Sequence, residues 1–346
     1  MTTTVIVVTL NRPDCVRQCL TCLLTQNPLP EEIIVVDASR GDETRVVVND
    51  FPSVLYLRNE NGFGRMTASR NIGLKRATGE IIAFVDDDSY ARPGWLKNLL
   101  STYQNPCIGA VGGRACNGVA GEELAGVDAV GRLHPNGTLT GNFAADTGQT
   151  IDVDHVMGCN MSYRRSVIAE LGGFREDYPG ISGVREDSDM CVRVKSLGHR
   201  VVFNPAAVVD HVGAPQAVGR RFDWRYEFYI QRNHLTLLVR NFGPLSSRLW
   251  RYLLHSAIET NVVMARKIGG ALIRTAAISA GTAVGIFSGL RLLATTGRTP
   301  QRHDQDALAI RQGLSSSATP ARSSGPCTCG DCSTVAVGAA SREAAI

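Results

Sequence analysis

Three consecutive aspartates, Asp86-Asp87-Asp88, close the apolar run Ile81-Ile82-Ala83-Phe84-Val85. Carboxylates crowded at one strand end repel one another and are tolerated only when a cation stands close. Hard oxygen donors of this kind suit Mg2+ or Mn2+, and a divalent ion held by one or two carboxylates ordinarily finds its companion ligands on a diphosphate. A solvated acidic turn would carry the same letters. A second acidic group, Glu186-Asp187-Ser188-Asp189, opens a stretch of helical spacing. The dipole and free N–H groups of a first helical turn keep carboxylates ionised, the state a general base requires, although helix electrostatics alone also favour acids there.

The elements that must position these groups are legible in the hydrophobic pattern. Val5–Thr9, Glu32–Val36, Val54–Leu57 and Glu80–Val85 read as strands, while Pro13–Thr25 and Gly64–Ala77 have helical spacing. Continuous apolar strands separated by helices predict a parallel sheet covered on both faces. Ligands bind beyond the carboxyl ends of such strands, where Thr9–Asn11, Asp37–Ser39 and Asp86–Asp88 stand. Gly109–Asp154, rich in Gly, Asn and Asp, predicts loops and short strands. The pattern resumes at Val153–Met157, with helices over Arg164–Leu171 and Glu186–Leu197 and strands at Val201–Phe203 and Ala207–Val209. The catalytic module is expected to span 1–212.

With 346 residues, 44% hydrophobic and 20% charged, the chain can build a real core, which excludes disorder or coiled coil as a global description. Ten cysteines are too few for a disulfide scaffold, and a reducing cytosol is the expected compartment. The N-terminal MTTTVIVVTLNRP reads as a buried strand rather than a signal or anchor. Charge is divided unevenly: 1–212 holds 20 basic and 25 acidic residues, whereas 213–300 holds 12 and 3. That second region, predicted as arginine-rich helices over 213–297, carries Trp224, Tyr226, Phe228, Trp250 and Tyr252 among its arginines. Its longest uncharged run, Thr275–Leu290, falls short of the ~20 apolar residues that span a bilayer. A helix lying on, or partly inserted in, an anionic membrane surface is expected, against a solvated subdomain packed on the sheet. No nucleic-acid recognition fold is present, so nucleic acid is not an expected partner. Residues 298–346, rich in Ser, Ala, Thr and Pro, are expected to be disordered. Their Cys327-Thr-Cys329-Gly-Asp-Cys332 cluster lacks the fourth ligand of a structural zinc site.

Taken in order, VTLNRP, VVDAS, GFGRMTASRNIGLKRATGEIIAFVDDD, GCNMSYRRSVIAELGGF and REDSDMCVRVKSLGHRVVFNPAAVVDH resemble family 2 glycosyltransferases over roughly residues 4–212. The resemblance implies a GT-A fold: an α/β architecture with a mostly parallel central sheet flanked by helices, here with a C-terminal helical extension. It implies an inverting transfer of a sugar from a nucleotide-diphosphate donor to a glycan or lipid-linked acceptor, assisted by Mg2+ or Mn2+. By the same match, Asp88 is a direct metal ligand, Asp86 contacts ribose or metal, Asp87 assists and His211 completes metal coordination. Asp37 is implied against the nucleobase, with Thr9, Asn11 and Arg12 wrapping base and ribose. Asn71 bonds the nucleotide loop, and Gly158 and Asn160 lie beside the donor sugar. For Arg65 and Arg70 an ordinary surface charge explains the sequence as well as a ligand contact does. Asp187 is the implied general base, with Glu186 second and Asp189 structural.

Gly62 and Gly64 lack the third small residue of a dinucleotide fingerprint. Trp95 suits an acceptor platform and plain packing equally. The processive Gln-x-x-Arg-Trp motif is absent from the sequence, which predicts single additions in glycolipid or cell-surface polysaccharide synthesis at the cytosolic face of a membrane. The alternatives are a nucleotidyltransferase, for which VTLNRPD lacks the lysine-containing phosphate loop, and a binding module without turnover.

Overall fold

The computed structural model describes residues 1–60, 66–179, 185–213, 224–266 and 271–296, with Ile310 and Gln312. Arg65, the glycines of GFG and the Cys327 cluster lie outside these residues. The first half alternates as its hydrophobic pattern predicts: Thr3–Thr9 (β1), Pro13–Leu24 (α1), Glu32–Asp37 (β2), Glu43–Asn49 (α2), Val54–Arg58 (β3), Met66–Leu74 (α3) and Ile81–Asp86 (β4). These strands pair in parallel, with Thr9 opposite Asp37, Val8 opposite Asp86 and Asp37 opposite Arg58. The register therefore delivers three polar strand ends to one edge.

Alternation within each strand feeds two cores. Ile6, Val8, Ile34, Val36, Ile82 and Phe84 face one cluster, and Val5, Val7, Ile33, Val35, Ala83 and Val85 face the other. Burial on both faces is why these strands are apolar at every position.

Beyond β4 the chain adds Ser89–Ala91 (β5), Trp95–Thr102 (α4), Ile108–Cys116 (β6), Ile151–Asp152 (β7), Asn160–Arg164 (β8), Arg165–Leu171 (α5), Glu186–Ser196 (α6) and Arg200–His211 (β9). Among the described residues the strands form one sheet in the order β3-β2-β1-β4-β8-β6-β9-β5, with β7 on β9. The sheet is parallel in its first half and mixed beyond, because β8 runs antiparallel to both β4 and β6. Three local expectations are corrected. The segment Val153–Met157 is not a strand, and its Val153 and Val156 fill the core from a loop. The nine-residue β6 lies where loops and short strands are predicted, its glycines reflecting close packing. A Cβ on Gly112 would stand 2.4 Å from the Val156 side chain, and one on Gly113 would stand 2.0 Å from the Ala207 carbonyl. Finally, the two short strands expected after residue 200 are one strand with an irregularity where Arg114 pairs with Val208.

Trp224–Phe242 (α7), Ser247–Arg266 (α8) and Ala271–Thr296 (α9) follow. α7 is tied to the sheet domain: Asn241 Nδ2 donates to Asp189 Oδ1 (2.8 Å), Arg240 Nη1 pairs with Asp177 Oδ2 (2.6 Å) and His234 Nε2 donates to the Gly137 carbonyl (2.8 Å). α9 lies along α7 on Gly281, Gly285 and Gly289, where side chains would collide; a Cβ on Gly285 would come within 2.6 Å of the Arg232 carbonyl. Its other side exposes Ile273, Val284, Phe287 and Leu290. The helix outruns the uncharged stretch seen in the sequence: Thr275–Thr295, 21 residues of mean hydropathy 1.5, is long and apolar enough to cross a membrane by length and composition.

Gly285→Leu is expected to force α9 off α7 and destabilise the protein by about 1–3 kcal/mol, as overpacking does. Urea unfolding at wild-type midpoint would show the glycine row to be dispensable.

Candidate active site

Thr9, Arg12 and the three aspartates meet at the carboxyl ends of β1 and β4. Thr9 Oγ1 donates to Asp87 Oδ2 (2.6 Å), and Arg12 donates to Asp87 Oδ2 through Nε (3.0 Å) while its Nη1 stands 3.1 Å from Asp88 Oδ2. Asp87 is fully buried, and burial pushes its carboxyl up to about 7 despite Arg12. Asp86 is reached from the opposite side by Arg70 Nη2 at 3.5 Å. The crowded acids do have the cations they require, and two arginines supply them. Crowding by itself therefore does not demand a metal.

What does fit a metal is the next position along. The β5–β9 ladder pairs Ser89 with His211, and the Val212 N–H donates to the Asp88 carbonyl (3.0 Å). His211 Nε2 consequently stands 3.7 Å from Asp88 Oδ1, while its Nδ1 meets Asn117 Oδ1 at 3.3 Å. Among the described residues no three His, Cys, Asp or Glu side chains form a closed metal site. An open carboxylate and imidazole pair fits Mn2+ or Mg2+ when diphosphate oxygens complete the shell.

Asp37 sits at the end of β2 with no exposed surface. Ser39 donates to its Oδ1 from both the backbone N–H (2.8 Å) and Oγ (2.5 Å), and Tyr56 donates to Oδ2 (2.9 Å). The Asn11 N–H donates to Ser39 Oγ (2.7 Å), joining the β1 and β2 loops; Asn11 itself is left-handed at φ 54°. Ser39, two residues after an aspartate, is a turn signal present in the sequence, whereas Tyr56 is not discoverable without the register.

Arg70 and Asn71 are both fully buried. Their side chains diverge by 100°, yet Thr67, Arg70, Asn71 and Leu74 share the wide inward stripe of α3. A surface charge at Arg70 is excluded. Its Nη1 donates to Glu186 Oε1 (2.7 Å), its Nη2 approaches the Gly158 carbonyl (3.4 Å), and its guanidinium lies 5.5 Å from the Phe174 ring. Asn71 clamps a different loop: Nδ2 donates to the Phe174 carbonyl (2.8 Å) and Glu176 Oε1 (2.9 Å), and Oδ1 accepts from the Phe174 N–H (2.9 Å).

Because β8 runs antiparallel to β4, its N-terminal end lies beside the aspartates, and Val85 pairs with Asn160. Gly158 is pinned between Arg70 and Asp187, whose Oδ2 accepts from the Gly158 N–H (3.1 Å); a Cβ there would come 2.9 Å from Arg70 Nη2. Asn160 is buried with its amide spent on Trp95 Nε1 and the Arg114 and Ala207 carbonyls, all at 2.9 Å. Trp95 is accordingly core packing. Asp187 also accepts from the Ser188 N–H (2.6 Å), and Ser188 Oγ meets the buried His155 Nδ1 (3.1 Å). Glu186 differs from its neighbour: burial, and then Asp187, push its carboxyl up to about 8 against the pull of Arg70. Asp189 faces away, accepting at Oδ1 from Arg175 (2.7 Å), Tyr178 (2.8 Å) and Asn241. Burial would raise its pKa, but Arg175, Arg193, the Asn241 hydrogen bond and Arg240 together lower it.

A mixed sheet flanked by helices, with acids and their partners gathered at one strand-end edge, defines a GT-A fold. Residues 4–172 match Glycosyl transferase family 2. A glucosyl-dolichyl phosphate glucuronosyltransferase of Haloferax volcanii is 29% identical over 60% of this chain and 64% of its own length. A pre-mycofactocin glycosyltransferase of Mycobacterium tuberculosis is 31% identical over 77% and 51%. The chain thus spans between half and two thirds of these relatives. The solved mannosyltransferase PcManGT of Pyrobaculum calidifontis, in complex with GDP-Man and Mn2+, shares the fold at a TM-score of 0.50 and 20% identity, over 90% of this chain and 86% of that one. Residues 4–172 of this chain thus carry a glycosyl transferase family 2 domain.

Removing Arg70 leaves Glu186 and Asp86 without their shared cation, so Arg70→Met is expected to cost about 3–5 kcal/mol. Glu186 has a raised pKa, and its contribution is present below the unfolded carboxylate range and lost as pH rises through about 8. Losing Arg70 raises it further, so the cost is larger at pH 9 than at pH 6, and Glu186→Gln in the same chain recovers part of it. Equal costs at both pH values in denaturant titrations would contradict the assignment.

Proposed function

We propose that the chain transfers one sugar at a time, with inversion, from a nucleotide-diphosphate donor to an acceptor hydroxyl in the building of a glycolipid or cell-surface polysaccharide. The observation that carries this reading is the meeting of Asp37, Asp86–Asp88 and Asp187 at one edge of the sheet, each on a different element. Asp37, Thr9, Asn11 and Arg12 form the nucleoside end. Asn71 shapes the neighbouring loop, Gly158 brings backbone beside the donor sugar, and Asn160 holds that strand in place. Asp88 and His211, with Asp86 alongside, would hold Mn2+ or Mg2+, which supplies charge stabilisation to the diphosphate leaving group. The imidazole favours Mn2+ of the two.

Asp187 is the base. Two backbone N–H groups hold its carboxylate and aim it, whereas Glu186 is engaged by Arg70. The acceptor hydroxyl gives its proton to Asp187 as its oxygen bonds to the anomeric carbon. The bond from that carbon to the diphosphate oxygen breaks, and the electron pair leaves with the diphosphate. A metal-bound solved relative of the fold and a relative named for a dolichyl phosphate glycoside support the metal and a lipid-linked acceptor. A non-catalytic binding module would share the fold and is separated by the first test below.

Nucleotide release from a panel of UDP-, GDP- and dTDP-sugars in Mn2+ is expected from the wild type, to vanish with EDTA or Asp88→Ala, and to fall by ~10²-fold or more with Asp187→Asn at nearly unchanged donor affinity. Activity undiminished in excess EDTA sinks the metal role, and binding without turnover in the wild type favours the module. If Asp187→Asn is fully active and Glu186→Gln dead, the base moves one residue.

We also place α9 in the headgroup layer of an anionic membrane at the cytosolic face. One side of it is seated on α7, while Val284, Phe287 and Leu290 are exposed on it and Trp250 and Leu254 on α8, apolar side chains suited to the headgroup boundary. Co-sedimentation with phosphatidylglycerol-containing liposomes is expected to weaken with salt and to drop at least tenfold when Val284 and Phe287 are both replaced by Glu. Sedimentation of that variant at the wild-type level refutes the placement.

A further inference from the structure

His211, proposed above as a metal ligand, is aimed by residues outside the strand ends and acidic turns. β6 and β9 run in parallel with Cys116 opposite Asp210, so the next residues along, Asn117 and His211, leave the ladder together. Asn117 Oδ1 lies 3.3 Å from His211 Nδ1. The other end of the same amide faces acceptors only: Asn117 Nδ2 donates to Glu122 Oε2 (3.1 Å) and to the Ala115 carbonyl (3.4 Å). Those partners fix which way round the amide stands, because only its NH2 can face a carboxylate and a carbonyl. Glu122 is held in turn. Its Oε1 accepts from the backbone N–H groups of Asn117 (2.8 Å) and Gly118 (3.1 Å), and the Glu122 N–H donates to the Val119 carbonyl (3.2 Å), which closes the turn.

An amide oxygen cannot donate, so His211 Nδ1 carries the proton of the hydrogen bond. In a neutral ring this leaves Nε2 as a lone pair. Nε2 faces Asp88 Oδ1 at 3.7 Å, longer than a hydrogen bond, and both side chains are nearly buried. Two electron-rich atoms turned toward each other suit a cation that accepts from both. A neutral imidazole has two tautomers, and the anchored amide oxygen selects the one that a ligand through Nε2 requires. An imidazolium paired with Asp88 has no tautomer to select, since both of its nitrogens donate.

We propose that Asn117, held by Glu122, is the positioning residue for His211: it fixes the Nδ1–H tautomer and presents the Nε2 lone pair to the Asp88 side, where Mn2+ or Mg2+ would bind. The metal part rests on the transferase reading above, whereas the tautomer does not. The turn after β6 thereby takes a share in the metal edge without contributing a ligand to it.

Long-range 1H–15N NMR on the full chain without metal reads the tautomer, with His211→Gln identifying the resonances. At about pH 8.5, where an ordinary imidazole is neutral, His211 is expected to show a protonated Nδ1 and a bare Nε2. Asn117 lies at the surface, so replacing it leaves the packed core alone. Asn117→Leu keeps the size of the side chain and removes its oxygen; it is expected to let the proton move to Nε2 and to weaken Mn2+ binding by about 10–100-fold, measured by EPR with UDP, GDP and dTDP in turn. Asn117→Asp combined with Glu122→Gln returns an oxygen to Nδ1 and reverses the amide and carboxylate behind it, and is expected to recover both readouts. A wild-type ring protonated on Nε2, or on both nitrogens, overturns the proposal. So does Asn117→Leu with either the tautomer or the Mn2+ affinity unchanged. Absence of Mn2+ binding in the wild type overturns the metal reading instead, and the tautomer, read without metal, still decides whether Asn117 sets the ring.

Discussion

Arg70 is the charge on which the acidic edge of this sheet depends. Glu186 is buried and Asp86 half-buried, on elements more than a hundred residues and sixteen residues away from Arg70 respectively, and one fully buried guanidinium faces both. Desolvating ionised groups costs on the order of several kcal/mol per ion unless opposite charge is fixed nearby. The arrangement therefore requires α3 to point a cation inward, and α3 does so with nearly all of its residues buried. Phe174 supports the guanidinium from below, and Asn71, one residue on, holds the loop that carries Phe174. Gly158 lies between Arg70 and Asp187 because only a backbone without a side chain fits there. The end of β4, the Gly158 loop and the head of α6 are thus linked through a single buried cation.

Arg12 plays the matching part at the other end of the aspartate row. Its guanidinium pairs with Asp87 and Asp88, and Asp88 Oδ1 is left turned toward His211. The two acids of the base helix are divided in the same way. Glu186 is committed to Arg70, and Asp187 is left to backbone donors, so adjacent carboxylates in one helical turn have unlike environments.

The third acid of that helix joins the C-terminal helices to the rest. Asp189 gathers Arg175, Tyr178 and Asn241, and Arg240 reaches Asp177, so α7 is fastened to the sheet domain by one ion pair and a buried hydrogen bond. α9 is seated on α7 through glycines, with an apolar side left outward. One extension thereby walls a cavity against the 134–140 turn and exposes apolar side chains.

The family, the GT-A fold and the acidic positions were legible in the sequence, since continuous apolar runs encode strands buried on both faces and strand ends carry the polar residues. Local signals misled where close packing replaced composition. Glycines in Ile108–Cys116 disguised a central strand, and Val153–Met157 imitated one while filling the core from a loop. Arg70 was the costliest ambiguity, because an arginine reads as solvent-facing until its partner, 116 positions away, is in view. The sequence alone determined which residue types stand at the strand ends and helix head, as residue type and strand-end position are local properties. The tertiary structure alone decided which of them face each other: whether Asp88 meets His211, which acid of the Glu186–Asp189 turn is free, and that Asn117 reaches His211. Those pairings depend on register, strand direction and helix packing, which are long-range and leave no spacing in the chain to read.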